Sequence, residues 1–230
     1  MSAPVSVVIP TRAAADRIGP CLAALAEGAI EGVVRELVIA DAGSEDGIEG
    51  VAEAVGARLV TAPPGRGTQL AAGARAASGE WLLFLHADTV LSPGWPAAVR
   101  AHIEAGPERA GHFRLAFDSA ATMARVTEGW AGFRSRALAL PYGDQGLLVA
   151  RALYDRVGGH PEVPLMEDVA LVRRLGRRRL APLAAVATTS AERYAREGWI
   201  RRGARNLACL ALWRAGVPPD RLAGFYAGRR

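Results

Sequence analysis

The chain has 230 residues, half of them hydrophobic and 22% charged, with a formal net charge of +5. That length supports one full domain with a small appendage, and so apolar a composition excludes a disordered chain. Two cysteines, Cys21 and Cys209, make no disulfide framework and fit no zinc spacing. Both sit in apolar stretches, which predicts buried free thiols and a cytoplasmic setting.

Every basic residue is an arginine, and the charge is unevenly spread. Residues 1–150 carry 12 Arg against 16 acids, a net of −4, whereas residues 151–230 carry 16 Arg against 7 acids, a net of +9. A basic C-terminal third can attract phosphates, nucleic acid or an anionic membrane. The first apolar run, Val5 to Pro10, is too short for a signal peptide and carries no basic flank. The longest later run, Leu207 to Trp213, is about a third of a membrane span. The expectation is a soluble protein, or one peripheral to the inner face of the membrane.

In chain order, Val5 to Ile9 is a β-branched run closed by Pro10, a first strand. Asp16 to Glu27 has helical spacing (Ile18, Leu22, Leu25), with Asp16 as N-cap and Pro20 tolerable only if the helix begins late. Glu36 to Asp41 reads as a strand, Ile48 to Val55 as a helix, and Arg58 to Thr61 as a short strand. Thr68 to Ala77 is an Ala-rich helix entered through Gly65-Arg66-Gly67. Glu80 to Leu85 is a strand and Trp95 to Ala105 a helix. Strand and helix alternate, which predicts an α/β fold with a mostly parallel sheet, and nearly continuous apolar strands predict helices on both faces. Beyond residue 110 the pattern loosens. Gly111 to Phe117 and Asp144 to Val149 read as strands. Ala120 to Leu138, Arg151 to Val157, Asp168 to Leu175 and Trp199 to Ala215 read as helices, with a turn at Gly158-Gly159. The predicted organisation is a domain over 1–198, with halves at 1–110 and 111–198, and a helical extension over 199–230.

Two strands end in a carboxylate. Leu82-Leu83-Phe84-Leu85-His86-Ala87-Asp88 and Glu36-Leu37-Val38-Ile39-Ala40-Asp41 share that grammar, and ligands bind outside the carboxyl ends of strands in open α/β sheets. Asp41 could equally cap the following helix. Packing does not need a carboxylate at Asp88, and a hard cation on a diphosphate does need such a ligand. His86 lies two residues earlier, on the same face of a strand. It could join the metal, hydrogen-bond a phosphate or be a satisfied buried histidine. Gly65-Arg66-Gly67 at a helix start suits an anion, or is an ordinary loop with a solvated arginine. Glu167-Asp168 opens a helix, where acids occur for dipole reasons alone and where a catalytic base could also be held. The run Arg173 to Arg179 lacks aromatics and reads as a solvated helix end rather than a nucleic-acid patch. Trp199 to Ala215 reads as a core or homodimer helix, with an interfacial helix meeting anionic lipid as the alternative.

Taken in order, these segments resemble the family-two glycosyltransferases of the GT-A fold, from Val5 to about Leu175. The resemblance is carried by Ser6 to Thr11, by Val38 to Gly47, by Gly79 to Asp88, and by Gly158-Gly159 with Met166-Glu167-Asp168. The usual metal motif of that family is Asp-x-Asp, and here its first acid is His86. That variant, with Tyr142 to Gly146 and Thr188 to Tyr194, resembles a group of short bacterial enzymes found beside radical-SAM proteins, one branch of which is assigned to arsenosugar biosynthesis. That group commonly ends its last motif in Arg-Arg-Trp, where this chain has Glu192-Arg193-Tyr194.

The resemblance implies inverting transfer of a sugar from a nucleoside diphosphate sugar, a uridine donor by the family's habit, to a hydroxyl acceptor with Mg²⁺ or Mn²⁺. It implies Asp168 as the base and Asp88 as metal ligand with or without His86. Pro10, Thr11, Asp41, Gly43, Arg66, His86, Ala87 and Arg193 fall on the donor side. Tyr142, Asp144, Gln145 and Glu167 fall on the acceptor side. A nucleotidyltransferase is the enzymatic rival, but such enzymes place glycines directly after the first strand, where this chain reads Thr11-Arg12-Ala13-Ala14-Ala15. The non-enzymatic rival is a degenerate or polyanion- or membrane-binding protein using the basic C-terminal third.

Overall fold

The computed structural model describes residues 3–227. In chain order its elements are β1 (Val5–Thr11), α1 (Gly19–Ile30), β2 (Val34–Asp41), α2 (Ile48–Ala54), β3 (Arg58–Thr61), α3 (Arg66–Ala76), β4 (Trp81–Phe84), β5 (Thr89–Leu91) and α4 (Trp95–Glu104). There follow β6 (Ala110–Phe117), α5 (Thr122–Leu138), β7 (Leu147–Ala150), α6 (Arg151–Arg156), α7 (Glu167–Leu175), β8 (Leu180–Thr189), α8 (Glu192–Glu197), α9 (Trp199–Arg214) and α10 (Pro219–Ala227).

The eight strands form one sheet in the order β3-β2-β1-β4-β7-β6-β8-β5. The first four run parallel, β7 is antiparallel to both of its neighbours, β6 and β8 are parallel, and β5 closes the far edge antiparallel. The fold is thus α/β with a mostly parallel sheet, as expected. The chain goes from β1 first to β2 on one side and later to β4 on the other. That reversal creates a crevice at the carboxyl ends of β1 and β4, where a ligand can enter the sheet. Val5, Val7, Val8, Ile9, Val38, Ile39, Leu82 and Leu83 have no exposed surface, because parallel strands covered on both faces have no polar side to present.

Three departures have clear causes. Helix α1 begins at Gly19 with Pro20 in its first turn, where a missing N–H costs nothing; Asp16 stands upstream and caps nothing. The strand expected from Asp144 begins at Leu147, because Gly143–Gln145 form a 3₁₀ turn and Gly146 adopts φ +59. A Cβ on Gly146 would also lie 2.8 Å from Leu85. The ten-residue strand β8 was not foreseen. Its sequence, LAPLAAVATT, is alanine-rich and carries Pro182, so local propensity argues against a strand. It forms because it is sandwiched between β6 and β5, and the irregular register beside His112 absorbs the proline.

Helices α9 and α10 pack onto the domain, contributing Cys209, Leu210 and Leu222 to the main core. Cys21 and Cys209 are both buried free thiols. No helix among the described residues is long and apolar enough to cross a membrane.

Candidate active site

Strands β1 and β2 end in register, with Thr11 opposite Asp41. The Thr11 hydroxyl donates to Asp41 at 2.7 Å, and Ser44 donates to it through both its N–H (2.6 Å) and its hydroxyl (2.8 Å). Burial pushes the Asp41 carboxyl upward in pKa, but these donors outweigh it and hold the group below its ordinary value. Asp41 is therefore engaged internally, fixing the loop after β2 against β1, and it does not line the cavity beside it. Gly43 is likewise outside the cavity, turning that loop at φ +74. Gln69 on α3, unremarked in the sequence, donates to the carbonyls of Thr11 (2.6 Å) and Ala40 (2.8 Å) and so clamps the same two strand ends.

After β4 the chain leaves the sheet in a turn closed by the Thr89 N–H on the His86 carbonyl. This turn exposes Asp88 and holds His86 half-buried above it. Burial, reinforced by the nearby Arg66 and Arg193, pushes His86 well below the usual histidine range, so its imidazole is neutral and keeps a lone pair.

The opposite wall is the start of α7. Met166 precedes it at φ +66, a conformation that side-chain-bearing residues seldom adopt, and such strain collects at functional sites. Asp168 accepts from the Gly143 N–H through Oδ2 and from the Val169 N–H through Oδ1, both at 2.7 Å. Glu167 is 1% exposed, and its Oε1 has no hydrogen-bond partner, with Arg66 Nε 3.6 Å away. Burial raises its pKa to about 7, Asp168 adding to the rise while Arg66 opposes it.

Gly143 joins the two walls. A Cβ there would sit 2.9 Å from His86 Nε2 and 3.4 Å from Asp168 Oδ2. Gly143→Ala is therefore expected to cost about 1–3 kcal/mol by overpacking, read as a lowered Tm. Gly129→Ala, in the middle of α5 with nothing within 4 Å, should instead be neutral or stabilising by up to about 1 kcal/mol. Equal Tm values for the two variants would mean that the contact between the walls is not tight.

One cavity of about 1000 Å³ gathers these groups. Pro10, Thr11, Arg66, His86, Ala87 and Asp88 line it. So do Tyr142, Asp144, Glu167, Asp168 and Arg193. Asp144 Oδ1 is buried without a partner. Burial raises its pKa, Asp168 and Asp88 adding to the rise against Arg134 and Arg66. Gln145 does not reach the cavity. It is 1% exposed, accepts from Arg134 (3.2 Å) and Ser135 (2.8 Å), and donates to the Phe113 carbonyl (3.0 Å). It holds the 3₁₀ turn in place, and Arg134 stacks 3.2 Å from the Tyr142 ring centre.

Sequence reasoning did not place Arg202, Asn206 and Tyr226 at the site, yet they line the cavity beside Tyr194, the last residue of the Thr188 to Tyr194 motif. Asn206 donates to the Tyr194 hydroxyl at 3.1 Å, and the Arg202 guanidinium lies 4.0 Å over the Tyr226 ring. Glu197 pairs with both Arg202 and Arg205. Nothing local marks Arg202, Asn206 and Tyr226, which come together only when α10 folds back on α9. Among the described residues, no three His, Cys, Asp or Glu side chains are grouped so that they could hold a metal ion.

The architecture is that of GT-A glycosyltransferases. Glucosyl-3-phosphoglycerate synthase from Mycobacterium tuberculosis, solved with Mn²⁺, UDP and glucosyl-3-phosphoglycerate, is similar at TM-score 0.58 and 22% identity, over 82% of this chain and 70% of that one. The same enzyme solved with Mg²⁺ and UDP gives 0.58 and 23% over the same shares. Mannosyl-3-phosphoglycerate synthase from Rubrobacter xylanophilus gives 0.54 and 18%, over 82% of this chain and 65% of that one. No curated protein matches the chain. The family model "Glycosyl transferase family 2" matches residues 6–156, and the chain belongs to that family.

Proposed function

We propose that the chain is an inverting glycosyltransferase that moves a sugar from a nucleoside diphosphate sugar, with uridine as the nucleoside, to a hydroxyl of a small acceptor. The observation that carries this reading is the convergence of Asp168 and His86 on Gly143 in one cavity with Asp88 and Arg66. Asp168 takes the proton of the acceptor hydroxyl as its oxygen bonds to the anomeric carbon from the face opposite the leaving group. The anomeric carbon–oxygen bond to the diphosphate breaks, and its electron pair goes to the diphosphate. The N–H groups of Gly143 and Val169 hold the Asp168 carboxylate, each of whose oxygens keeps a lone pair for that proton. Arg66 and Arg193 offset the charge that grows on the diphosphate. Tyr142, Asp144 and Glu167 border the acceptor.

Asp88 with neutral His86 suits a divalent ion that completes its shell with phosphate oxygens and water, as Mg²⁺ and Mn²⁺ do at nucleotide sites. Bound there, the ion would supply Lewis-acid neutralisation of the leaving group. Neighbours of the same fold were solved with Mn²⁺ or Mg²⁺ and UDP, which supports the choice of probe. We also assign the chain to the short bacterial, radical-SAM-associated group on the strength of His86, Tyr142 to Gly146 and Thr188 to Tyr194. The same proposal puts the enzyme in the cytoplasm and divides it into a 1–198 catalytic domain and a 199–230 helical extension.

The test is thermal unfolding with UDP, GDP, dTDP or CDP, each with Mn²⁺, Mg²⁺ or EDTA, on the wild type and Asp88→Ala. At a hundred times its Kd a ligand stabilises by about 2.7 kcal/mol, roughly 5–10 °C for a chain of this size. The expected result is a metal-dependent shift with UDP that Asp88→Ala loses. No shift with any nucleotide would overturn the donor assignment.

A further inference from the structure

Ten large hydrophobic side chains are more than a third exposed among the described residues, and eight of them fall on three consecutive neighbours in space, α5, α9 and α10. On α5 they are Val126 (55%), Trp130 (44%), Phe133 (50%) and Leu138 (45%). The first three recur at helical spacing on one face, opposite the buried Ala124, Ala131 and Ser135. Trp130 and Phe133 stack on each other at 5.6 Å, with no core beneath their outer faces. Helix α9 turns Arg202, Cys209 and Leu210 inward. Its outward stripe is Ile200, Ala204, Leu207 and Ala211, with Ile200 76% and Leu207 48% exposed. The two helices pack against each other.

The charge on α5 and α9, the two helices of this face, is predominantly positive. Helix α9 contains no acid, and α5 contains one, Glu128, which is paired with Arg125. Arg136, Arg178, Arg201 and Arg214 are exposed and take part in none of the ion pairs of the described residues. Arg177 donates to the carbonyls of Arg136 and Ala137, which fastens the Arg177–Arg179 turn to the end of α5. A second copy of this face would bring like charges together. An anionic bilayer offers both apolar depth for the aromatic pair and opposite charge for the arginines.

We propose that the paired outer faces of α5 and α9 seat the protein on an anionic lipid surface, with Trp130, Phe133, Ile200 and Leu207 entering the interface and the flanking arginines meeting the headgroups. This does not depend on the glycosyl-transfer reading, because no residue in it lines the cavity.

The experiment is co-sedimentation of the full chain with vesicles of phosphatidylcholine, with or without phosphatidylglycerol, at low and high salt. The expected result is binding to the phosphatidylglycerol vesicles that salt weakens. It should fall about tenfold or more in Trp130→Glu/Phe133→Glu and separately in Ile200→Glu/Leu207→Glu. Ile30→Glu, at the end of α1 and still more exposed (86%), should bind like the wild type. Circular dichroism and light scattering of each variant check fold and assembly. Three results would each overturn the proposal: no binding at low salt, an equal loss in Ile30→Glu, or a dimer that the α5 variant dissociates.

Discussion

Asp168→Asn is expected to lower kcat by about 10²–10⁴-fold while UDP binding with Mn²⁺ stays nearly unchanged. The amide cannot accept the acceptor's proton, and no other carboxylate is held as this one is, between the N–H groups of Gly143 and Val169. An amide group turned toward the Gly143 N–H would lose that bond, so a stability cost of about 1–2 kcal/mol accompanies the substitution. Separating the two effects requires turnover at saturating donor well below the variant's Tm, set beside the nucleotide-induced Tm shift. Full activity in Asp168→Asn would remove this residue from the mechanism. Loss of the nucleotide shift together with activity would move it to the donor side.

The second large effect concerns Glu167 and needs no substrate. Its pKa in the folded protein is about 7 against an ordinary 4.5. Between those values the native state keeps a proton that the unfolded chain has released, so stability falls as pH rises through this range. Above pH 7 the full loss is present, and a shift of this size corresponds to about 3 kcal/mol. Glu167→Gln keeps the shape and never ionises. In EDTA at pH 8 the variant should therefore unfold roughly 5–10 °C above the wild type, while at pH 4.5 the two should converge. Parallel Tm–pH curves would show that the carboxyl ionises in place without penalty. A gain would fit a group kept for function at a cost in stability.

Much of the first half was legible because its signals are local. β-Branched runs closed by Pro10 or by an acid, and helices between them, are written in consecutive residues, and they define the parallel β3-β2-β1-β4 set. The same runs mark the strand ends, so Asp88 could be singled out without coordinates, and Arg66 through the glycines flanking it at a helix start. The alanine-rich β8 was not legible, because its strand state is imposed by β6 and β5 rather than by its own side chains. Nor was the 3₁₀ turn that takes Asp144 out of the sheet, since it depends on Gly146 fitting beneath Leu85 and Phe113.

The sequence by itself determined the alternation of strands and helices, the two carboxylate-ended strands, and the concentration of arginine in the last third. Only the tertiary structure decided which of the singled-out residues meet. It turned Asp41 and Gln145 inward to brace loops, set both Asp168 and His86 against Gly143, and added Arg202, Asn206 and Tyr226 to the cavity. It also left Trp130, Phe133, Ile200 and Leu207 facing outward, where periodicity alone could not tell a core stripe from an exposed one. The division has one physical cause. Burial patterns and backbone preferences are carried by neighbours along the chain, whereas the partner that satisfies a carboxylate or covers an apolar face comes from a distant segment.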